Sequence, residues 1–424
     1  VNTIYIHRHN ARVGDGMSNF TDFISSGGGG GLYGGVLMEI PLSTSQTFVP
    51  PRNGIVNIIC IGGGGGGGIL WNDAQGLAAG GGAGGYCVKE SLAVTTSSSF
   101  TVTIGATGSG TLTQTAADGV TGGNTTVSGT GLSATLTANG GAGGSTETTS
   151  GLGLAGGAGG TASNGTVNRT GGAGGSVGEN VTTGANLRAA TGGGAVAILT
   201  SVGYPGGGIF QRLPTSGSAP MDGDAYYATG GAGIGGRGGG LHNINDNNAD
   251  TLLGCNGGGA NHAGYDKTDQ YDWVPSAVTS MGRNEAFTFP YVGASLIGQN
   301  PAIGGSGEVG DYACNGGGGS AQANNRDDNA FYSGGLGGDR NTNTMGAGGG
   351  GWYGNNAGRG AGHGGAFAGG GGTGTYSGSA LGVRCGDAGV GGGGGAFFRH
   401  GGQALGLSGY GGPGMVFIHY TAYS

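Results

Sequence analysis

Charged side chains are scarce in this chain: they make up 9% of its 424 residues, with Lys89 and Lys267 as the only lysines. The formal net charge is −7, so the chain lacks the basic surface that nucleic-acid binding requires. A continuous apolar run of about 18 residues is also missing, which argues against membrane insertion. Residues 1–10 lack the apolar stretch of a signal peptide, so none is expected there.

Proline is rare as well, with 10 residues, and glycine follows no strict three-residue repeat, which excludes collagen. No stretch has a 3.6-residue apolar period, so we expect essentially no α-helix. Motifs of hydrolases, zinc proteases and P-loop proteins are absent. The polar run 241–250 loosely resembles a calcium loop but lacks its distal Glu, so turns are expected there. We therefore predict no enzyme activity, no catalytic residue, no cofactor and no metal site.

The five cysteines are few and scattered: Cys60, Cys87, Cys255, Cys314 and Cys385. Their odd number and wide spacing argue against a disulfide framework and against a zinc site. We expect free, buried thiols that pack as small apolar groups. Cys255 and Cys314 lie in similar short sequences, and whether they are bridged is left open.

Glycine is what the chain has in excess, with 117 residues, seven of them consecutive at 62–68. Such a composition is typical either of a disordered polymer or of a fold in which only glycine fits. The 35% hydrophobic content and the apolar runs on both sides of the glycine blocks favour a fold. We predict a bundle of polyglycine II helices, which have three residues per turn and no internal hydrogen bonds.

Packing of such helices explains why the blocks contain little but glycine. Buried backbone groups must be paired, and here they can pair only with neighbouring helices, whose close approach requires that Cβ be absent. The recurrent unit Gly-Gly-Ala-Gly-Gly then predicts that one residue in three faces outward, with Ala83 as an example.

The apolar runs predict β-strands at 54–61, 86–94, 100–104, 121–128 and 132–138, and a terminal strand within 411–420. The distribution of these strands and of the glycine blocks predicts the domain organisation. Residues 1–47 form an attachment arm or extra strands, 48–138 a β-rich region with the first glycine helices, and 139–424 the bundle with inserted loops and the last strand.

Several segments together are similar to the glycine-rich domain of bacteriophage tail-fibre proteins. They are the run from Phe48 through Pro51 into Gly54-Ile-Val-Asn-Ile, the seven glycines, the block ending at Tyr86, Phe100-Thr-Val-Thr-Ile-Gly105 and the end Gly411-Gly-Pro-Gly-Met-Val-Phe-Ile-His-Tyr420. The resemblance covers about residues 48–420. It implies an all-β fold with a small antiparallel sheet region, closed by the first and last strands and fused to a polyglycine II bundle. In T-even-type phages, similar bundles form the tip adhesin.

Aromatic residues make up only 7% of the chain and are concentrated in its glycine-poor inserts, 209–229, 261–303 and 320–333. Aromatics with polar tips are common anchors of recognition surfaces, although they also pack loops against a scaffold. The predicted receptor-binding residues are Tyr226, Tyr227, Tyr265, Tyr271, Trp273, Phe289 and Tyr291.

Together these features predict a non-enzymatic virion appendage, a phage tail fibre or receptor-binding protein. Its expected partners are a protein or saccharide receptor on the host cell and other virion tail or fibre proteins, contacted through residues 1–47. A homo-oligomer is left open. The alternatives are a structural filament, a virion coat or decoration subunit, and an ice-binding protein, which would use a flat face of small residues. An enzyme grafted on the loops is the least favoured.

Overall fold

The computed structural model describes part of the chain. The described residues are 37–71, 76–110, 115–148, 153–177, 186–199, 202–211, 224–233, 238, 241–243, 252–254, 300–301, 313–314, 321–323, 348–349, 352–353, 361–364, 367–375, 385–399 and 407–423.

These residues form β-strands and extended segments, with no α-helix among them, as predicted. The strands are β1 (Leu37–Leu42), β2 (Gln46–Phe48), β3 (Gly54–Ile61), β4 (Ile69–Trp71), β5 (Gly76–Ala78), β6 (Tyr86–Val94), β7 (Phe100–Thr103), β8 (Thr125–Gly129), β9 (Leu136–Ala138), β10 (Thr146–Glu147), β11 (Ala162–Ser163), β12 (Val167–Arg169), β13 (Asn186–Ala190), β14 (Ile209–Gln211), β15 (Asp224–Ala228), β16 (Leu241–Asn243), β17 (Leu252–Gly254), β18 (Asn300–Pro301), β19 (Ala313–Cys314), β20 (Ala321–Ala323), β21 (Trp352–Tyr353), β22 (Thr373–Thr375), β23 (Phe397–Arg399) and β24 (Met415–Ala422).

The strand at the end of the chain lies inside an antiparallel sheet, which we call the terminal sheet, with the order β1-β24-β3-β6-β12. Strand β24 pairs with β3 along its whole length, from Met415 opposite Ile61 to Ala422 opposite Gly54. The predicted strands 54–61 and 86–94 are confirmed with the same bounds. The sheet is open, with β1 and β12 at its edges.

A second antiparallel sheet, β11-β9-β8-β7-β2, packs on one face of the terminal sheet. The core between them is made by alternate residues of both sheets, as expected for half-buried strands. Phe48 stacks on Phe100 with ring centroids 6.3 Å apart. At the rim, the hydroxyl of Tyr420 donates to the carbonyl of Arg52 at 2.9 Å. We call this pair of sheets the sandwich.

The glycine segment 62–68, which joins β3 to β4, distributes its hydrogen bonds with a period of three residues. The amides of Gly62, Gly65 and Gly68 all donate to segment 79–85, at 2.9–3.0 Å. The amides of Gly63 and Gly66 donate to segment 117–123, and those of Gly64 and Gly67 donate to segment 409–412. The carbonyl groups of 62–68 accept hydrogen bonds from three more segments, 106–110, 141–144 and 394–397.

These six neighbours are also bonded to one another, so that they close a ring around segment 62–68. Segments 79–85, 191–197 and 391–397 have the same number of hydrogen-bonded neighbours among the described residues. Every residue of 62–68 and 79–85 is buried. At nearly every glycine of these segments an added Cβ would approach backbone atoms of a neighbour more closely than real Cβ atoms do. Only glycine fits these positions because backbone surrounds them on all sides.

Outer segments expose one residue in three, as predicted. In segment 153–161, Ala155, Ala158 and Thr161 are exposed, whereas Gly157 and Gly160 are buried. The same prediction is wrong for Ala83, which is fully buried. Ala83 lies in an inner segment, and its methyl group joins an apolar cluster with Ile61 and Val196.

Candidate functional site

The glycine segments run away from the sandwich and return to it, so they have a sandwich end and an opposite end, which we call the far end. The pairing of 62–68 with 79–85 is antiparallel, and the pairings of 62–68 with 141–144 and 394–397 are parallel. Outgoing and returning segments therefore alternate along the chain.

Short parallel strands lie where the segments reach the far end. Strands β21, β22, β23 and β4 form a four-stranded sheet in which every pairing is parallel. Strands β5, β13 and β15 are parallel in a neighbouring sheet, with β10 and β20 antiparallel at its edges. Strands β4, β22 and β23 follow glycine segments, whereas β5, β13 and β15 precede them. Within each group the attached segments run in the same direction, so the hydrogen-bonded array imposes this parallel pairing.

Two of the seven predicted receptor-binding residues belong to this far-end structure. Tyr226 and Tyr227 are consecutive residues of β15, which lies between β13 and β20 in its sheet. In register they stand opposite Arg188 and Ala189 of β13. The other five, Tyr265, Tyr271, Trp273, Phe289 and Tyr291, lie outside the described residues.

The far end also contains an arginine–tryptophan pair that the sequence analysis missed. Arg399 is 2% exposed, and its guanidinium carbon lies 4.1 Å from the centroid of the Trp71 ring. The two residues are opposite each other at the ends of β23 and β4. A cation over an indole ring is attractive, more so when shielded from water, so the pair holds Trp71 in a fixed orientation. Each residue ends a short apolar run after a glycine block, a pattern that could have indicated the site.

Buried threonines complete the hydrogen bonds where glycine segments meet the far-end strands. The hydroxyl of Thr191 accepts from the amide of Gly80 at 2.9 Å and donates to the carbonyl of Gly175 at 2.6 Å. Thr229 makes the equivalent pair of bonds, with Gly192 and Gly207. These side chains replace backbone partners at the ends of the segments, so that Gly80, Gly175, Gly192 and Gly207 keep hydrogen bonds there.

The described residues contain no group of three or more His, Cys, Asp or Glu placed to hold a metal ion. On an outer face, the amide of Asp387 donates to Nδ1 of His363 at 3.0 Å, and a carboxylate oxygen of Asp387 accepts from the amide of Tyr410 at 2.9 Å. His363 therefore projects from its segment and contacts the next one. Within the part of the chain that is described, no helix has the length and apolar character to span a membrane.

Three of the cysteines are free and buried, as predicted: Cys60, Cys87 and Cys385. Burial raises the pKa of all three thiols, that of Cys87 to about 11. They are therefore protonated at neutral pH and behave as apolar groups. Cys255, whose bridging to Cys314 the sequence leaves open, lies outside the described residues.

Comparison with known proteins gives one family. A family model described as a glycine-rich domain matches residues 40–271, which include most of the terminal sheet, the second sheet and the central segments 62–68 and 79–85. The matched range contains Tyr226, Tyr227, Tyr265 and Tyr271 but ends before Trp273. No curated protein matches the chain.

Proposed function

The chain belongs to the glycine-rich domain family, and on this premise we propose that it is a non-enzymatic virion appendage. In this proposal it is a phage tail fibre or receptor-binding protein that attaches to the host cell surface. Its expected location is the virion. Residues 1–47 contact other tail or fibre proteins, and loops on a rigid scaffold contact a protein or saccharide receptor.

The scaffold in this proposal is a polyglycine II bundle. The three-residue period of the hydrogen bonds from 62–68 and the ring of six bonded neighbours around it support this assignment. Three residues per turn with all backbone bonds made to neighbours is the arrangement expected of that helix type. A scaffold bonded in all lateral directions resists bending, so the short strands at its far end are held in fixed relative positions.

The observation that carries the recognition role is the division between the two ends. The sandwich end has compact sheets with short described turns, such as 95–99 and 130–135. The far end has the pair Tyr226 and Tyr227 on β15, and Trp71 in contact with Arg399. Aromatic residues on a rigid frame favour binding because little side-chain entropy is lost on contact.

A direct test uses fluorescently labelled full-length chain and a panel of bacterial strains, with binding followed by flow cytometry. We expect binding to a subset of strains, and at least a tenfold loss in the variant carrying Tyr271→Ala and Trp273→Ala. Truncation of a hot-spot aromatic costs about 2 kcal/mol or more, which is more than tenfold in affinity. The matched control is Tyr423→Ala, because Tyr423 is 52% exposed next to the sandwich.

The Tyr423→Ala control should bind as the unsubstituted chain does. The unsubstituted chain, the double variant and the control should have the same melting temperature. Unchanged binding by the double variant would refute the assignment of Tyr271 and Trp273 to the recognition surface. Loss of binding in Tyr423→Ala, with normal binding by the double variant, would instead place the surface next to the sandwich. Binding to no strain, together with filaments in electron micrographs of the purified chain, would favour the structural-filament alternative.

One surface supports a second candidate function, ice binding. Two neighbouring outer segments present small residues at every third position: Ala155, Ala158 and Thr161 on one, and Thr170, Ala173 and Ser176 on the other. Along a polyglycine II helix this spacing is about 9.3 Å, so small, weakly polar side chains repeat regularly along both segments. Inhibition of ice recrystallisation by the purified chain, abolished by Ala158→Lys, would support this function over receptor binding.

A further inference from the structure

Two free thiols face each other across the centre of the terminal sheet. Cys60 on β3 and Cys87 on β6 are directly opposite in an antiparallel pairing. Both are fully buried, and both belong to the apolar core between the terminal sheet and the second sheet. Their side chains therefore project from the same face of the sheet, side by side.

This placement satisfies the geometric requirement of a disulfide. Opposite residues of an antiparallel pair have Cα atoms about 4.5–5.5 Å apart, within the roughly 4.4–6.8 Å that disulfides span. The pKa of Cys60 is raised first by burial and then by the charge of Cys87, as expected of thiols in close proximity.

We propose that Cys60 and Cys87 are a modification site, at which an intramolecular disulfide forms when the chain meets an oxidising environment. The bond would join the ends of the hairpin formed by glycine segments 62–68 and 79–85, because Cys60 lies just before the first and Cys87 just after the second. It would restrict the unfolded chain where the hydrogen-bonded array begins. This inference does not depend on the proposed function.

The reaction begins at Cys87, which is the thiol nearer to the surface. Its Sγ is 3.3 Å from the carbonyl oxygen of Ser163 and 3.4 Å from Oδ1 of Asn168, both next to the turn between β11 and β12 at the edge of the terminal sheet. Local opening of this turn exposes Cys87 while β3 stays in the interior of the sheet.

With oxidised glutathione as the oxidant, the Cys87 thiolate attacks one sulfur of the reagent and releases one glutathione thiolate, which takes up a proton. The Cys60 thiolate then attacks the Cys87 sulfur of the mixed disulfide and releases the second glutathione. Two protein thiols are oxidised, and one glutathione disulfide is reduced to two thiols.

The test compares the full-length chain incubated with dithiothreitol or with oxidised glutathione. After free thiols are alkylated under denaturing conditions, peptide mass spectrometry should find Cys60 linked to Cys87 in the oxidised sample alone. The melting temperature should rise by about 3 °C or more and return on reduction. Cys60→Ala and Cys87→Ala should each abolish the link and the rise. The control Cys385→Ala, at a buried thiol in another cluster, should retain both.

Alkylation of both Cys60 and Cys87 after oxidation would overturn the proposal, as would their separate linkage to other cysteines. The peptide result on the unsubstituted chain decides the question even where an alanine variant fails to fold.

Discussion

Substitution of Gly65 by Ala gives the most direct test of the packing of the glycine segments. Gly65 lies in the middle of segment 62–68, with its amide bonded to the carbonyl of Gly82 and its carbonyl bonded to the amide of Gly394, both at 2.9 Å. An added Cβ would overlap the carbonyl of Ala142 and lie 2.8 Å from the amide nitrogen of Gly143. Real Cβ atoms essentially never come within 3.0 Å of such atoms.

The neighbouring backbone must therefore move by roughly 1 Å, and it cannot do so without disturbing its own hydrogen bonds. Overpacking costs about 1–3 kcal/mol, and each weakened backbone bond adds about 1 kcal/mol. The lower entropy of alanine in the unfolded chain offsets at most about 1 kcal/mol. The free energy of unfolding should fall by about 3 kcal/mol, and the melting temperature by about 3 °C for a chain of this length.

Urea and thermal unfolding followed by circular dichroism measure both quantities. The control is Ala158→Val, which also adds side-chain carbon to a glycine segment but at an exposed position. It should change the free energy of unfolding by less than about 0.5 kcal/mol. Equal and small effects of the two substitutions would refute the conclusion that segment 62–68 is closely packed.

Two further predictions concern buried polar side chains. Thr191→Val should lower the free energy of unfolding by about 1–3 kcal/mol, because it removes the hydroxyl that bonds Gly80 and Gly175. Thr191→Ser keeps that hydroxyl and should cost clearly less, so equal losses in urea unfolding would argue against the hydrogen-bonding role. Burial lowers the pKa of His419, which is 1% exposed, to about 4, whereas an unfolded histidine has a pKa of about 6.5. The stability that neutral His419 contributes is complete above pH 6.5 and is lost as the pH falls towards 4, by up to about 3 kcal/mol. Thermal unfolding at several pH values should show a smaller acid loss for His419→Gln than for the unsubstituted chain, and parallel losses would contradict the assignment.

Much of the local structure could be predicted from the sequence. Alternating and β-branched runs gave strands such as β3 and β6 with correct bounds, and the absence of a helical period gave a described structure without α-helix. The thiols of Cys60, Cys87 and Cys385 are free and buried, as their spacing indicated. These predictions succeed because they depend on each segment's own pattern of apolar residues.

The candidate site was less predictable. The concentration of aromatic residues predicts recognition residues in the glycine-poor inserts. Of the seven predicted residues, Tyr226 and Tyr227 lie in a described strand. Arg399 and Trp71 were missed because more than 300 residues separate them in the chain and only parallel pairing of β23 with β4 brings them together. Ala83 was placed on the outside for a similar reason: its local sequence is the same as that around Ala158, and only the position of its segment makes it buried.

The sequence by itself determined that glycine segments would alternate with short strands, and that glycine was required wherever backbone approaches backbone. An extended glycine segment makes no hydrogen bonds within itself, so its local sequence does not specify which segment it bonds to. The tertiary structure alone decided that carbonyl groups of segments 79–85, 117–123 and 409–412 accept hydrogen bonds from the amides of 62–68. It also decided which segments are central and which are outer. It also decided that Cys60 faces Cys87. The physical reason is that each of these glycine segments finds its backbone partners in other segments and not within itself.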